Sequence, residues 1–357
     1  MDNLLSSKIQ ANPWTTKRVI AVISMLGLVG VIAAIAISSN SSVSSVFLKQ
    51  IELEESEFQD FLQTYHKSYQ GEEYLKRLNI FRDNAAFIRV HNLQNQDWVL
   101  GINQFADITF QEFKEKYLTS KFPEIKPQEI KEIENPVQGT PATVDWRTKG
   151  AVTPVLDQGV CLGGSYAFAA IGAIEGIWNI TGNPLVPLSV QEIIDCSGTY
   201  GNHGCDFGNV LGVYEYVTDK GVTSDAVYPF TAKTGTCNGG DVTKIVAEIQ
   251  GYSEMTNTTS AALMTTVAQQ PVTVGVQADQ ATWVFYHGGI ITNNCGTKPD
   301  HNVLIVGYNS VKKPNYWIVK NSWGKDWGES GYMRIAMKDG AGVCGINLYT
   351  SFPEADN

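Results

Sequence analysis

The chain has 357 residues, 43% of them apolar and 17% charged, with a formal net charge of -10. That length suffices for one large domain with an appendage, or for two domains. The acidic balance and the lack of basic stripes exclude a nucleic-acid binder that reads phosphates, and 8 Trp, 15 Tyr and 14 Phe exclude a largely disordered chain.

Residues 19–37, VIAVISMLGLVGVIAAIAI, hold Ser24 as their one polar side chain. As a helix this run spans roughly 28 Å, close to the hydrocarbon core of a bilayer. Lys17 and Arg18 precede it, so residues 1–18 read as a cytosolic tail and 19–37 as a transmembrane signal anchor. Ala34-Ile35-Ala36 resembles a signal-peptidase site, which keeps a cleaved signal open as the alternative. Either reading sends the rest of the chain into the secretory pathway. It is expected there as a membrane-anchored lumenal or extracellular domain, or as a lysosomal or secreted one after processing. Residues 38–54, opening on SSNSSVSS, read as a spacer. Asn40, Asn179 and Asn257 begin N-x-S/T sequons and are glycosylation acceptors by pattern, against the plain alternative of surface asparagines.

Residues 55–120 read as a helical module. Glu73, Arg77, Phe81, Asn84, Ile88 and Asn92 recur at spacings of three and four and so share one helical face. Such a stripe expects a surface to pack on. Residues 121–140 are rich in Pro and Glu, lack periodicity and read as an exposed connector open to proteolytic nicking. From 141 to 357 the text changes. Helical stretches are expected at Tyr166–Trp178, Val190–Asp195 and Asn209–Thr218, and after Thr243 come the β-rich runs PVTVGV, HNVLIVGY, YWIVKNSW and GYMRIAM. A helical half followed by a sheet half predicts an α+β domain. No phosphate loop, dinucleotide fingerprint or H-E-x-x-H occurs, and no cofactor is expected.

All six cysteines, Cys161, Cys196, Cys205, Cys237, Cys295 and Cys344, lie beyond residue 160. None sits in a C-x-x-C pair or a zinc-finger spacing, so no metal site is expected. An even count suits an oxidising compartment.

The segments DQGVCLGGSYAFAAIGAIEG (157–176), DCSGTYGNHGCDFG (195–208), DHNVLIVGY (300–308) and VKNSWGKDWGESGYMRI (319–335) resemble the papain-like cysteine peptidases, above all the cathepsin L group. The stripe from Glu73 to Asn92 resembles the propeptide helix of those relatives, and Gly101, Asn103, Phe105 and Asp107 match their following G-x-N-x-F-x-D. The resemblance implies a two-lobed papain-like fold, a helical lobe beside a β-barrel-like lobe, with a prosegment that runs through its own cleft. It implies His301 as catalytic base, Asn321 as the amide orienting that imidazole, Trp323 as the indole shielding the pair, and Gln158 as an oxyanion-hole amide. It further implies disulfides Cys161–Cys205, Cys196–Cys237 and Cys295–Cys344. His203 and His287 have no such company and read as ordinary surface residues.

The nucleophile departs from the family pattern Q-G-x-C-G-x-C-W-A-F. Here Gln158-Gly159-Val160-Cys161 is followed by Leu162-Gly163-Gly164-Ser165-Tyr166-Ala167-Phe168, one residue longer and without the second cysteine. Counting back from the helix places Ser165 at the nucleophile. A helix cannot absorb an extra residue without rotating its buried face by about 100°, whereas a glycine-bearing loop can. The extra residue is therefore expected in 162–164, with Ser165 capping the helix. Silicateins and some parasite serine-repeat antigens also carry serine here. In the cleft, the family's G-C-x-G-G becomes Gly204-Cys205-Asp206-Phe207-Gly208, so Phe207 either turns away or narrows the non-primed side. Pro299 stands where an aliphatic residue often walls the main specificity pocket.

A serine hydroxyl yields its proton far less readily than a thiol, and Asn321 supplies no carboxylate to orient the base. The expectation is a papain-family homologue, catalytically impaired or inactive, that binds peptides or proteins in its cleft. The alternatives are a hydrolase working through Ser165, or a thiol peptidase if the text around 162–165 is misread.

Overall fold

The computed structural model describes residues 41–94, 96–118, 122, 137–256 and 258–355. The apolar run 19–37, Asn40, Asn257, and residues 121 and 123–136 of the connector lie outside the described residues. Among the described residues, no helix is long and apolar enough to cross a membrane.

The chain divides into two compact units, residues 1–78 and 79–357. In the first, helix α1 runs Ser41–Thr64. Residues 41–54, expected within a spacer, are therefore helical. The reason is cooperative: ten of the fifteen residues of KQIELEESEFQDFLQ are strong helix formers, and once nucleated the helix extends through serines that each cost only about 0.5 kcal/mol against alanine. His66 takes a positive φ of 52° in the reversal that follows. Helix α2, Gly71–Asn92, then begins. Phe58 meets Tyr74 edge-on at 5.4 Å, and Gln59 Nε2 donates to the Tyr74 hydroxyl at 2.7 Å. Glu73 and Arg77, one turn apart, are ion-paired at 2.6 Å.

In the second unit, the later residues of the α2 stripe hold the segment that follows them. Phe81 and Ile88 are buried. Asn84 Nδ2 donates to the carbonyls of Ala106 (2.8 Å) and Ile108 (3.0 Å). Asn92 pairs with Leu100 both ways, donating to its carbonyl at 2.8 Å and accepting its N–H at 2.9 Å. These asparagines thus complete backbone groups that would otherwise be buried and unpaired. Leu100 closes strand β1, Trp98–Leu100, a short strand the residue pattern did not announce. Helix α3, Phe110–Tyr117, starts at a capping box in which Thr109 and Glu112 satisfy each other's backbone N–H.

The remainder reads, in order, β2 (Thr143–Asp145), α4 (Ser165–Ile180), α5 (Val190–Cys196), α6 (Val210–Lys220), β3 (Gly251–Thr256), α7 (Ser260–Val267), β4 (Val272–Val276), β5 (Tyr286–Ile291), β6 (His301–Asn309), β7 (Tyr316–Lys320), β8 (Tyr332–Ala336) and β9 (Tyr349–Glu354). The strands order as β1-β5-β8-β7-β6-β4-β9-β3, with β2 also paired to β6. Helices α4 to α6 therefore gather before the sheet half, which itself includes α7, and β2 carries the start of the domain back across β6. One buried cluster joins Ile171 and Ile174 of α4, Val213 and Tyr214 of α6, and Leu304 and Val306 of β6. The structure holds disulfides Cys161–Cys205, Cys196–Cys237 and Cys295–Cys344 and no free cysteine among the described residues.

Asn92→Ala strands both the N–H and the carbonyl of Leu100. We expect it to destabilise the segment by about 1–3 kcal/mol, read as faster hydrogen exchange at Trp98–Leu100. Unchanged exchange there would contradict the role given to Asn92.

Candidate active site

The central helix α4 delivers Ser165, and the start of β6 delivers His301. Gly164 is the N-cap, with helical φ and ψ and no side-chain cap bond. Ser165 is therefore the first helical residue rather than the expected cap. Its hydroxyl faces β6 instead, where Oγ accepts the Asn302 N–H at 3.3 Å. Ser165 is 1% exposed and His301 0%.

His301 Nε2 lies 2.9 Å from Asn321 Oδ1. The same oxygen accepts the Ser322 N–H at 2.8 Å, which fixes the amide orientation, since an N–H approaches only an acceptor. Nε2 therefore carries the ring proton and Nδ1 is bare. Nδ1 is buried with no hydrogen-bond partner among the described residues. Burial pushes the imidazole down to about 4, against a smaller upward pull from Asn321. Trp323, itself buried, covers the pair with its indole 4.8 Å from the imidazole.

Gln158 is fully buried. Its Oε1 accepts the Ser322 hydroxyl at 2.7 Å, and its Nε2 donates to the Leu162 carbonyl at 2.8 Å. Residues 162–164 form a turn closed by Gly164 N–H to Cys161 O at 3.0 Å and tied across to Cys205 O by Gly163 N–H at 2.7 Å.

Three further sequence-nominated residues have contacts of their own. The Phe207 ring lies on the His203 imidazole, 4.3 Å between centroids. A Cβ at Gly208 would fall 2.5 Å from the Tyr166 ring, so that glycine is required by packing in the helical lobe. Pro299 sits over Gly345, beside the Cys295–Cys344 bridge. Asn179, at the end of α4, donates Nδ2 to Asn183 O at 3.0 Å, which ties the sequon's acceptor nitrogen into the fold.

Residues 140–354 match the papain family cysteine protease model, and residues 58–113 match the cathepsin propeptide inhibitor domain. The chain belongs to the papain family of cysteine proteases. It is 38% identical over 299 residues to the senescence-specific cysteine protease SAG39 of Oryza sativa subsp. indica, covering 82% of this chain and 87% of that protein. The thiol protease SEN102 of Hemerocallis sp. is 40% identical over 290 residues, covering 78% and 80%. Among solved structures, the proform of the ragweed pollen allergen Amb a 11 cysteine protease superposes with a TM-score of 0.78 at 35% identity, covering 86% of this chain and 96% of that one. The recombinant stem bromelain precursor gives 0.76 at 35%, covering 85% and 99%.

Within the unit from residue 79 onward, the prosegment of this papain-family chain is seated on the site. Strand β1 pairs antiparallel with β5. Gly101 donates its N–H to Phe285 O at 2.8 Å, and a Cβ there would meet the His287 ring at 2.9 Å. His287, read as an ordinary surface residue, is thus a docking surface for Gly101. Asn103 donates to Val284 O at 2.7 Å, and its own Oδ1 accepts the Phe105 N–H. Phe105 and Phe113 then stand edge-on to Trp323, at 5.4 and 5.3 Å. Asp107 is fully buried. Lys114 reaches Asp279 at 2.7 Å, a bond that raises the ammonium pKa. Nearby, burial pushes Asp300 up to about 7.

Four residues of the site escaped the sequence reading: Phe122, Gly275, Asn302 and Tyr349. The Phe122 ring occupies the space that a Cβ on Gly275 would enter, 2.5 Å away, and lies 4.9 Å from the Tyr349 ring. Gly275 pairs with Asn302 across the sheet, next to His301. The glycine inside PVTVGV was the available signal, since a side chain missing from a strand interior marks a close approach.

Because the folded imidazole binds its proton more weakly than an exposed one, His301 stabilises the fold fully above pH 6.5 and loses that contribution as pH falls toward about 4. We expect ¹⁵N NMR of the full chain to show His301 neutral and protonated on Nε2 at pH 6. A midpoint above the ordinary 6.5 would contradict the burial argument.

Proposed function

We propose that this chain is a papain-fold protein that binds peptide or protein segments in its cleft, with peptide-bond hydrolysis impaired or lost. The observation that carries the reading is the hydroxyl of Ser165 on the first residue of α4, in a chain whose six cysteines are all in disulfides. A papain-type thiol works as a thiolate against imidazolium, a state that a low starting thiol pKa makes accessible. Ser165 has no such starting point. Its activation needs an aligned general base, and with the prosegment seated burial lowers His301 to about 4, which leaves the imidazole a weak proton acceptor in that state. Asn321 orients the ring without the negative charge that would stabilise a forming imidazolium. On this reading Gln158, Ser165, His301, Asn321 and Trp323 are retained as the floor of a binding cleft, and Phe207, Gly208 and Pro299 belong to its walls. The prosegment is the first ligand of that cleft, through Phe105, Phe113 and Phe122.

A second reading, a slow hydrolase dependent on Ser165, is favoured by one observation. The neutral His301 already presents a bare Nδ1, the form a hydroxyl nucleophile requires. For location, the run 19–37 and three disulfides support the secretory pathway, with 19–37 as the membrane anchor and Asn40, Asn179 and Asn257 as its glycosylation acceptors.

Cut the full chain near residue 140, remove the prosegment and assay fluorogenic peptides between pH 4 and 7. Under the binding reading kcat/KM stays below about 10⁻³ of a thiol relative's value, and turnover above that level sinks it. Ser165→Ala separates the two readings, because residual activity disappears under the hydrolase reading and persists unchanged if it comes from a contaminant.

A further inference from the structure

The hydroxyl at 165 is not the only departure at this site. The turn 162–164 carries the extra residue, and one of its carbonyls, that of Leu162, is the acceptor of the Gln158 side-chain N–H at 2.8 Å. The opposite end of the same amide is held by the Ser322 hydroxyl at 2.7 Å, and the Gln158 backbone N–H is bound to Ser322 O at 2.9 Å. A carboxamide anchored at its oxygen and through one of its two N–H groups is restrained about its terminal torsion, with the engaged N–H aimed at the turn. The turn is equally fixed. Gly163 is tied to Cys205 O at 2.7 Å, Cys205 is disulfide-bonded to Cys161, and a Cβ on Gly164 would lie 3.0 Å from Cys161 Sγ. With Gln158 fully buried, no water competes for the bond to Leu162.

We propose that Leu162 is a positioning residue acting through Gln158: the lengthened turn binds the amide that would otherwise turn toward a developing oxyanion. The proposal deepens the binding reading, since it gives the cleft a second reason for lost catalysis, independent of the nucleophile. Oxyanion stabilisation requires donors aimed at where charge develops, and one misplaced donor lowers kcat by about 10²–10³. Restoring a thiol alone is therefore insufficient.

The test uses the full chain, cut near residue 140 and freed of its prosegment, as Ser165→Cys and as Ser165→Cys with Leu162 deleted. Two readouts are taken: the pH profile of alkylation by iodoacetamide, which reports thiolate formation, and kcat and KM on a fluorogenic peptide, which report turnover. The expected result is similar alkylation profiles in both variants, with kcat higher by at least about 100-fold in the deletion variant and KM changed far less. Equal kcat in the two variants overturns the proposal, whatever the unmodified chain does on peptides. If the deletion variant does not fold, NMR of the Ser165→Cys chain decides. On addition of a peptide aldehyde, the Gln158 Hε2 signals are expected to stay in place. A downfield shift of either signal shows the amide reaching the oxyanion and overturns the proposal.

Discussion

The contact of α4 with β6 sets the position of Ser165 against the start of the strand that carries His301. Gly172 in the middle of α4 lets the helix approach β6 closely, with a Leu304 methyl group 2.9 Å from where its Cβ would be. That close approach lets Ile171 and Ile174 share one buried cluster with Leu304 and Val306. It also brings the first residue of the helix to the first residues of the strand, where the Asn302 N–H finds Ser165 Oγ. A helix register shifted by one residue would turn this face away by about 100°. On the proposed reading the extra residue of the preceding loop is absorbed before the helix, in the turn 162–164.

The absorption has chemical consequences. On the proposed reading, a chain without the extra residue offers the Gln158 amide no carbonyl such as that of Leu162. Here it has one, while His301 stays neutral through burial and is oriented by an uncharged amide. Gln158 and the donor nitrogen of His301 are thus each held by a hydrogen bond, while His301 Nδ1 is buried without a partner among the described residues. On the proposed reading such a site holds a ligand by shape and hydrogen bonds and is poorly prepared for developing charge.

Much of this was legible in the residues, for physical reasons that differ from place to place. The stripe from Glu73 to Asn92 could be read because a helix face repeats, and the structure adds what the polar members do: Asn84 and Asn92 complete buried backbone groups. The extents of α4, α5 and α6 differ from expectation by only one or two residues at most ends, because apolar periodicity marks them well. Residues 41–54 were misjudged since serine-rich text suggests a linker, while cooperativity lets the stronger formers beyond it carry the helix back. The bond from Gln158 to Leu162 was not legible, because the direction of a carbonyl in a glycine-rich turn depends on backbone angles that composition leaves open. Nor was the seat of Phe122, which depends on a long-range pairing of β4 with β6 beneath Gly275.

The prosegment ties these observations together, since its Phe105, Phe113 and Phe122 already use the site as a receptor for aromatic side chains. The most direct measurement is calorimetric titration of the released domain with an extended peptide spanning the Phe122 segment, followed by mass spectrometry of the recovered peptide. Saturable binding with the peptide returned intact is the predicted result. Recovery of cleaved peptide at the rate of a thiol relative would contradict the account.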